Sequence, residues 1–241
     1  MIAGFIITGN SSKTVLLRGL GSSLVNAGLS DVLQDPVLEL RSSNGSLIFR
    51  NDNWKDDQRS LIEGTPFQPA DDRESVIVVT LQPGAYTAVL TGKDQTTGVG
   101  LVELYDISQA VDSQLANIST RGFVQTGANV MIGGFILGNS SNTTHVAIVG
   151  LGPSLAQFAL NNLLEDPTLE LHDGNGALIA SNDDWIDDPV SAAALITNGL
   201  APGNVKESGI YVSLLPGQFT AILAGKNGGI GVGLVEIYNL R

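Results

Sequence analysis

The chain has 241 residues, 43% of them hydrophobic and 15% charged, with 29 Gly, 9 Pro and no Cys. That composition excludes a disordered chain, disulfides and thiolate metal sites, and the length suits one large all-β domain or two of ordinary size. Twelve basic residues against 24 acidic ones leave a formal net charge of -12, which disfavours nucleic acid and anionic membrane surfaces and makes cations the better partners.

The chain opens with "MIAGFIITGN" (Met1–Asn10), which lacks the basic n-region and cleavage site of a signal peptide. No apolar run approaches the roughly 18 residues of a membrane span, so no membrane insertion is expected. "TVLLRGL" (Thr14–Leu20) reads as a strand. "SSLVNAGLSDVL" (Ser22–Leu33) reads as a short helix that begins at a capping Ser and stops before Asp35–Pro36. "PVLELRS" and "SLIFRND" follow as strands, and "SSNG" (Ser42–Gly45) between them suits a tight hairpin, because Asn-Gly tolerates positive φ. "SVIVVTL", a turn at Gln82–Gly84, "AYTAVLTG" and "VGLVELYD" complete a run of short strands rich in β-branched residues.

The same series then recurs. "KTVLLRGLGSSL" (Lys13–Leu24) matches "THVAIVGLGPSL" (Thr144–Leu155), and "LQDPVLELRSSNGSLIFRNDNWKDD" (Leu33–Asp57) matches "LEDPTLELHDGNGALIASNDDWIDD" (Leu164–Asp188). "LQPGAYTAVLTGK" (Leu81–Lys93) matches "LLPGQFTAILAGK" (Leu214–Lys226), and "GVGLVELYDI" (Gly98–Ile107) matches "GVGLVEIYNL" (Gly231–Leu240). The spacing is 130 residues at Met1 and Met131 and 133 at Leu101 and Leu234, too long for a solenoid of small units. The expected architecture is all-β: two tandem antiparallel β-sandwich, jelly-roll-like repeats with short helices in the connections. Residues 1–107 are expected to form the first repeat, lacking the N-terminal strand segment, 108–115 a linker and 116–241 the second. A second helix is expected in "DDPVSAAALITNG" (Asp187–Gly199), entered through Asp-Pro and closed by Gly. The Gly-rich "TTGVGLVE" and "GGIGVGLVE" suit a strand that another backbone approaches closely. The two copies should superpose, with the largest deviations near Asn139–Thr143 and Ala201–Val205, where the spacing changes.

One segment, "NISTRGFVQTGANV" (Asn117–Val130), occurs once, before "MIGGFI", whereas its partner "MIAGFI" opens the chain. One of the two bodies is therefore expected to lack a strand. An unpaired sandwich edge invites strand addition from another subunit, head to tail. The residues placed at such a junction are Met1, Ile2, Phe5, Ile118, Phe123 and Val130, with Tyr238–Arg241 as the other end.

The stretches "LANISTRGFVQTGANVMIGGFI", "LGPSL", "DPTLELHDGNGALIASNDDW", "LPGQFTAILAGKNGG" and "GVGLVEIY" resemble a bacterial family of tandem repeats in large secreted or surface proteins. A weaker likeness, over Asp166–Tyr238, is to the bacterial pre-peptidase C-terminal domain, a jelly-roll-like sandwich appended to secreted enzymes, some relatives of which bind calcium. The resemblance implies an extracellular or cell-surface location and a non-catalytic role.

The most chemical-looking motif is "NDNWKDD" (Asn51–Asp57) against "NDDWIDD" (Asn182–Asp188). Asp52, Asp56 and Asp57, with Asp183, Asp187 and Asp188, crowd hard oxygen ligands of the kind Ca2+ takes, so chelation should then lower the melting temperature. The competing reading has Asn and Asp turning the chain and capping a helix while Trp54 or Trp185 plugs the sandwich. Arg73–Glu74 and Lys206–Glu207 read as exposed strand-edge ion pairs. The two histidines, His145 and His172, align with Thr14 and Arg41, so the copies share none, and neither G-x-S-x-G nor H-E-x-x-H occurs. No catalytic residues are assigned. The sequons at Asn10, Asn44, Asn117, Asn139 and Asn142 follow from composition. The expected function is extracellular assembly of the protein with itself into a filament or surface layer, the alternative a ligand- or carbohydrate-binding module of a larger secreted protein.

Overall fold

The computed structural model describes residues 1–108, 112–138 and 142–240. Contacts divide the chain into two units, Met1–Ala116 and Asn117–Arg241. The first unit runs β1 (Ile2–Gly9), β2 (Lys13–Leu20), a 3-10 turn (Ser22–Ala27), β3 (Pro36–Ser42), β4 (Leu47–Asn51), the one-turn helix α1 (Arg59–Ile62), β5 (Ser75–Leu81), β6 (Gly84–Gly92) and β7 (Leu101–Asp106). Strand β8 (Ser113–Val124) leads into the second unit. There follow β9 (Met131–Leu137), β10 (Thr144–Leu151), a 3-10 turn (Pro153–Phe158), β11 (Pro167–Asp173), β12 (Leu178–Asn182), α2 (Pro189–Thr197), β13 (Ser208–Leu214), β14 (Gly217–Gly225) and β15 (Gly231–Leu240). The chain is all-β, and the ladders are antiparallel.

In the second unit β13-β10-β15-β8 faces β12-β11-β14-β9. Alternate residues point inward, as the pleat requires. Val146 and Ile148 of β10, Val235 and Ile237 of β15 and Val124 of β8 meet Leu169 and Leu171 of β11 and Ala221 and Leu223 of β14 in one core. This is a sandwich held by interdigitated aliphatic side chains. In the first unit β5-β2-β7 lies in one sheet and β1-β6-β3-β4 in the other. Its buried residues come from both: Val15, Leu17 and Ile77 from one, Phe5, Leu38, Leu40 and Leu90 from the other.

Registers agree position for position between the units. Phe5 pairs with Tyr86 and Phe135 with Phe219, each pair of rings stacked at 5.4 and 5.3 Å. Leu38 pairs with Leu90 and Leu169 with Leu223. Leu17 pairs with Leu104 and Ile148 with Ile237. Both hairpins slip register at the same place, between Leu40 and Arg41 and between Leu171 and His172, and turn through Gly45 (φ 83°) and Gly176 (φ 82°). Of the expected deviations, the one at Asn139–Thr143 begins with residues 139–141, which lie outside the described residues, as do residues 109–111 of the expected linker and Arg241.

Three expectations are corrected. The stretch expected as a helix at Ser22–Leu33 and the matching stretch of the second copy, "PSLAQFALNNLL" (Pro153–Leu164), which carries the same expectation, hold only 3-10 turns without a side-chain cap. The hydroxyls of Ser23 and Ser154, instead of capping, donate to buried glutamates, and Gly28 (φ 83°) and Ala159 (φ 57°) end the turns in the left-handed region. Trp54 and Trp185 do not plug the space between the sheets. Trp54 is buried on the outer face of the first unit's sheet with Leu16, Ile62 and Val76. Trp185 is only half-buried, beside Ala147, Val149 and Leu195 on the corresponding face. Third, Glu74 and Glu207 are not exposed: each is 0% accessible. By contrast α2 starts and stops as read. Asp188 accepts from the N–H groups of Val190 and Ser191, Pro189 opens the helix, and Gly199 (φ 69°) follows its end.

Candidate functional site

The acidic loops are held by lysines. In the first unit Lys93 Nζ lies 2.9 Å from Asp52 Oδ2 and 3.8 Å from Asp35 Oδ2. In the second unit Lys226 pairs with Asp183, and Lys206 Nζ lies 3.9 Å from Asp166. Hydrogen bonding and attraction to these carboxylates hold the ammonium pKa above its usual value in both Lys93 (Asp52) and Lys226 (Asp183). The lysines were visible in sequence as the last residue of "LTGK" and "LAGK", but only the sheet brings them to the Asp-Pro turn and to the end of β4 or β12.

The expected cation ligands therefore separate. Asp52 and Asp183 face the lysines. Asp56 accepts from Asn53 Nδ2 (3.0 Å) and Asp57 from Asn51 Nδ2 (3.2 Å), while Asp188 caps α2 and Asp187 is exposed. Among the described residues one acidic group could hold an ion, Asp166 with Asp183 and Asp184, their oxygens within 4.8 Å of one another. Asn53 stands where Asp184 does, so the first unit has one carboxylate fewer. Ca2+ takes about six to eight oxygens, and a cation here would compete with the ammonium of Lys226 for Asp183.

The second recurring feature is a buried glutamate wrapped by a Gly-x-Ser turn. Glu74 Oε1 accepts from Gly21 N (2.9 Å), Ser23 N (2.9 Å) and Ser23 Oγ (2.6 Å). Glu207 Oε1 accepts from Gly152 N (2.9 Å), Ser154 N (2.9 Å) and Ser154 Oγ (2.6 Å). The glycine is required here, because a Cβ on Gly21 or Gly152 would stand 1.9 Å from the carbonyl oxygen of Leu33 or Leu164. The carboxyl satisfies donors that a strand-to-turn reversal would otherwise bury unpaired, which makes it a structural staple. Sequence reading took the Glu for surface because its basic neighbour, Arg73 or Lys206, is charged. The signal was the recurrence of the dipeptide itself, Glu74–Ser75 and Glu207–Ser208, at the start of the same strand in both copies.

The third feature differs between the units. Strand β15 lies between β10 and β8, with Gly231 opposite Val124, Leu234 opposite Arg121 and Tyr238 opposite Asn117. Strand β7 has β2 on one side and, among the described residues, no strand on the other. The burial follows. Val235 and Ile237 are 1% and 5% accessible, whereas their counterparts Val102 and Leu104 are only half-buried, and Gly98 is exposed where Gly231 is buried. Beside this edge lies a groove of about 810 Å³ lined by Met1, Leu33, Leu90 and the Lys93–Gly98 turn.

The residues expected at an assembly junction divide in the same way. Phe5 is buried in the first unit's own core, Ile2 is half-buried, and Met1 is half-exposed with its ammonium donating to the carbonyl of Leu90 (3.0 Å). Ile118 packs on the second unit's core, Phe123 is exposed and Val130 half-buried. Asn117 is buried and donates to the carbonyl of Ile237 (3.2 Å), which removes that sequon from the surface. His145 Nδ1 lies 2.8 Å from Ser213 Oγ on the exposed face of β10 and β13, and its ring stacks on Tyr211.

No family model matches the chain, and no curated protein matches it. Structural similarity is weak. A protein of Sulfolobus turreted icosahedral virus aligns at 10% identity over 99% of this chain and 88% of its own, with a TM-score of 0.29. A protein of Eubacterium rectale provisionally described as secreted aligns at 10% identity over 98% of this chain and 68% of its own, with a TM-score of 0.25. The VP2 subviral particle of infectious bursal disease virus aligns at 9% identity with a TM-score of 0.23. No helix among the described residues is long and apolar enough to cross a membrane.

Proposed function

We propose that the chain is a tandem pair of one non-catalytic β-sandwich module, and that it serves outside the cell as a structural element assembling with itself, head to tail, into a filament or layer. The observation that carries the reading is the outer edge of β7, unpaired among the described residues, with Val102 and Leu104 incompletely covered beside it. Exposed backbone donors and acceptors next to partly bared aliphatic side chains are a template for pairing with another chain, and a contact between two unlike surfaces propagates when its rotation does not close. The shared registers and the resemblance of the repeat motifs to secreted bacterial proteins support the module and its location.

The test is concentration-dependent light scattering after size exclusion, with negative-stain imaging of the same fractions. Oligomers that grow with concentration into strings or sheets are expected. A monodisperse monomer at every concentration contradicts the reading. A glycan array separates the alternative, since specific sugar binding in the groove beside β7 would make the chain a binding module.

A further inference from the structure

We infer that Asn227, in the turn between β14 and β15, is a site of spontaneous hydrolytic modification: of the chain's four Asn-Gly dipeptides it is the first to lose its side-chain amide to water in the folded protein, becoming aspartate or isoaspartate. The four stand at Asn44, Asn175, Asn198 and Asn227. Asparagine amides are thermolabile, and a following glycine offers a backbone nitrogen with no side chain in the way. The nitrogen of the glycine attacks Cγ of the asparagine. A C–N bond forms, the Cγ–Nδ2 bond breaks, and the side-chain nitrogen leaves as ammonia with the proton of the attacking N–H. Water then opens the resulting succinimide ring at either carbonyl, and no oxidant or reductant takes part.

All four asparagines are exposed, so access does not choose among them. Hydrogen bonding does. In the hairpin of the first unit Asn44 Oδ1 accepts from Ser42 Oγ (2.6 Å) and Ser46 N (2.9 Å), and Gly45 N donates to the carbonyl of Ser42 (2.8 Å). In the matching hairpin Asn175 N donates to Asp173 Oδ1 (2.8 Å) and Gly176 N to the carbonyl of Asp173 (2.9 Å). At the end of α2 Asn198 Nδ2 donates to the carbonyl of Ala194 (2.8 Å) and Gly199 N to that of Ile196 (3.1 Å). An amide aimed at a carbonyl must give up that bond before its nitrogen can swing to Cγ. The side chain of Asn227 makes no hydrogen bond among the described residues, and the amide that closes its turn on the carbonyl of Lys226 (3.0 Å) is that of Gly229, not of Gly228.

The first unit already carries the product. Asp94 stands where Asn227 does, with φ 53° and ψ 32° against 54° and 29°. The ammonium of Lys93, held above its usual pKa chiefly by Asp52, draws a smaller contribution from Asp94, and an aspartate at position 227 would act in the same way on Lys226, the partner of Asp183. Isoaspartate instead lengthens the main chain of a turn so closely folded that a Cβ on Gly225 would stand 2.2 Å from the carbonyl oxygen of Gly229. With age the second unit either takes on the charge pattern of the first or loosens its β14–β15 connection.

The test ages the intact protein at mildly alkaline pH in heavy-oxygen water, with a parallel sample in concentrated urea, and maps both by mass spectrometry after digestion with pepsin in acid. In the folded protein heavy oxygen should enter at Asn227 before it is detectable at Asn44, Asn175 or Asn198. In urea the other three should catch up, because their glycine amides are released. Asn227→Asp should abolish the early label and leave unfolding by urea unchanged. Labelling led by another of the four sites, equal labelling of all four in the folded protein, or a lead of Asn227 that persists unchanged in urea would overturn the inference. A clear loss of stability in Asn227→Asp would overturn the likeness to Asp94.

Discussion

Strands β7 and β15 carry almost the same sequence, "VGLVELYD" and "VGLVEIYN", and pair in the same register with β2 and β10. Val235 is 1% accessible and Val102 is half-buried. The difference lies in what stands beside them: β8 lies along β15, and among the described residues no strand lies along the far side of β7. Burial at these positions is a property of the neighbour and not of the residue. A valine that reads as core in the sequence becomes part of an edge when one strand is missing.

The two units should behave alike wherever that strand plays no part, and the largest effects test this likeness. Glu74→Ala and Glu207→Ala each strand three donors of a buried turn, so each should cost roughly 3 kcal/mol or more in its own unit's unfolding by urea. A loss in one unit alone would break the correspondence. The tryptophans sharpen the contrast. Trp54→Ala removes a fully buried ring and should cost about 3–5 kcal/mol, whereas Trp185→Ala, half-buried, should cost about half that. Equal losses would show that the outer-face clusters are packed alike. A smaller difference lies in the helices. Asp188→Ala should cost about 1 kcal/mol by uncapping α2, and Asp57→Ala less, because α1 is entered through Gln58 without a side-chain cap.

The smallest effect is a dependence on pH. His172 Nε2 lies 2.9 Å from Glu170, and that bond, helped by the carbonyl of Gly176, raises the imidazole pKa above 6.5. Stability from this pair is full below 6.5 and is lost as pH rises through the folded value. The first unit has Arg41 at the same place, on Glu39 at 2.6 Å, and an arginine keeps its charge throughout. Melting curves between mildly acidic and mildly alkaline pH should therefore show a slight fall for the second unit, abolished by His172→Gln. A fall that survives the substitution would place its cause elsewhere.

Much of the fold was legible because the strands obey period-two patterning and the hairpins carry Asn-Gly. The "TTGVGLVE" glycines were legible too: a Cβ on Gly98 would stand 2.5 Å from the nitrogen of Leu33, and one on Gly231 2.4 Å from the carbonyl of Leu163. What was not legible depended on partners far away in sequence. The Ser-led turns resemble helix starts until Glu74 and Glu207, some 50 residues on, take up their donors. Asp52 and Asp183 resemble ligands of an ion until Lys93 and Lys226 arrive on a neighbouring strand. The groove beside β7 was not legible, because it is formed by residues as far apart in sequence as Met1, Leu33, Leu90 and Gly98.

Hydrogen exchange of the intact protein, read by mass spectrometry without any ligand, tests the open edge most directly. Peptides covering Leu101–Asp106 should exchange much faster than those covering Leu234–Asn239, while β2 and β10, the central strands beside them, should be protected alike. Equal protection of β7 and β15 would show that the edge of the first unit is already covered, and would contradict the account.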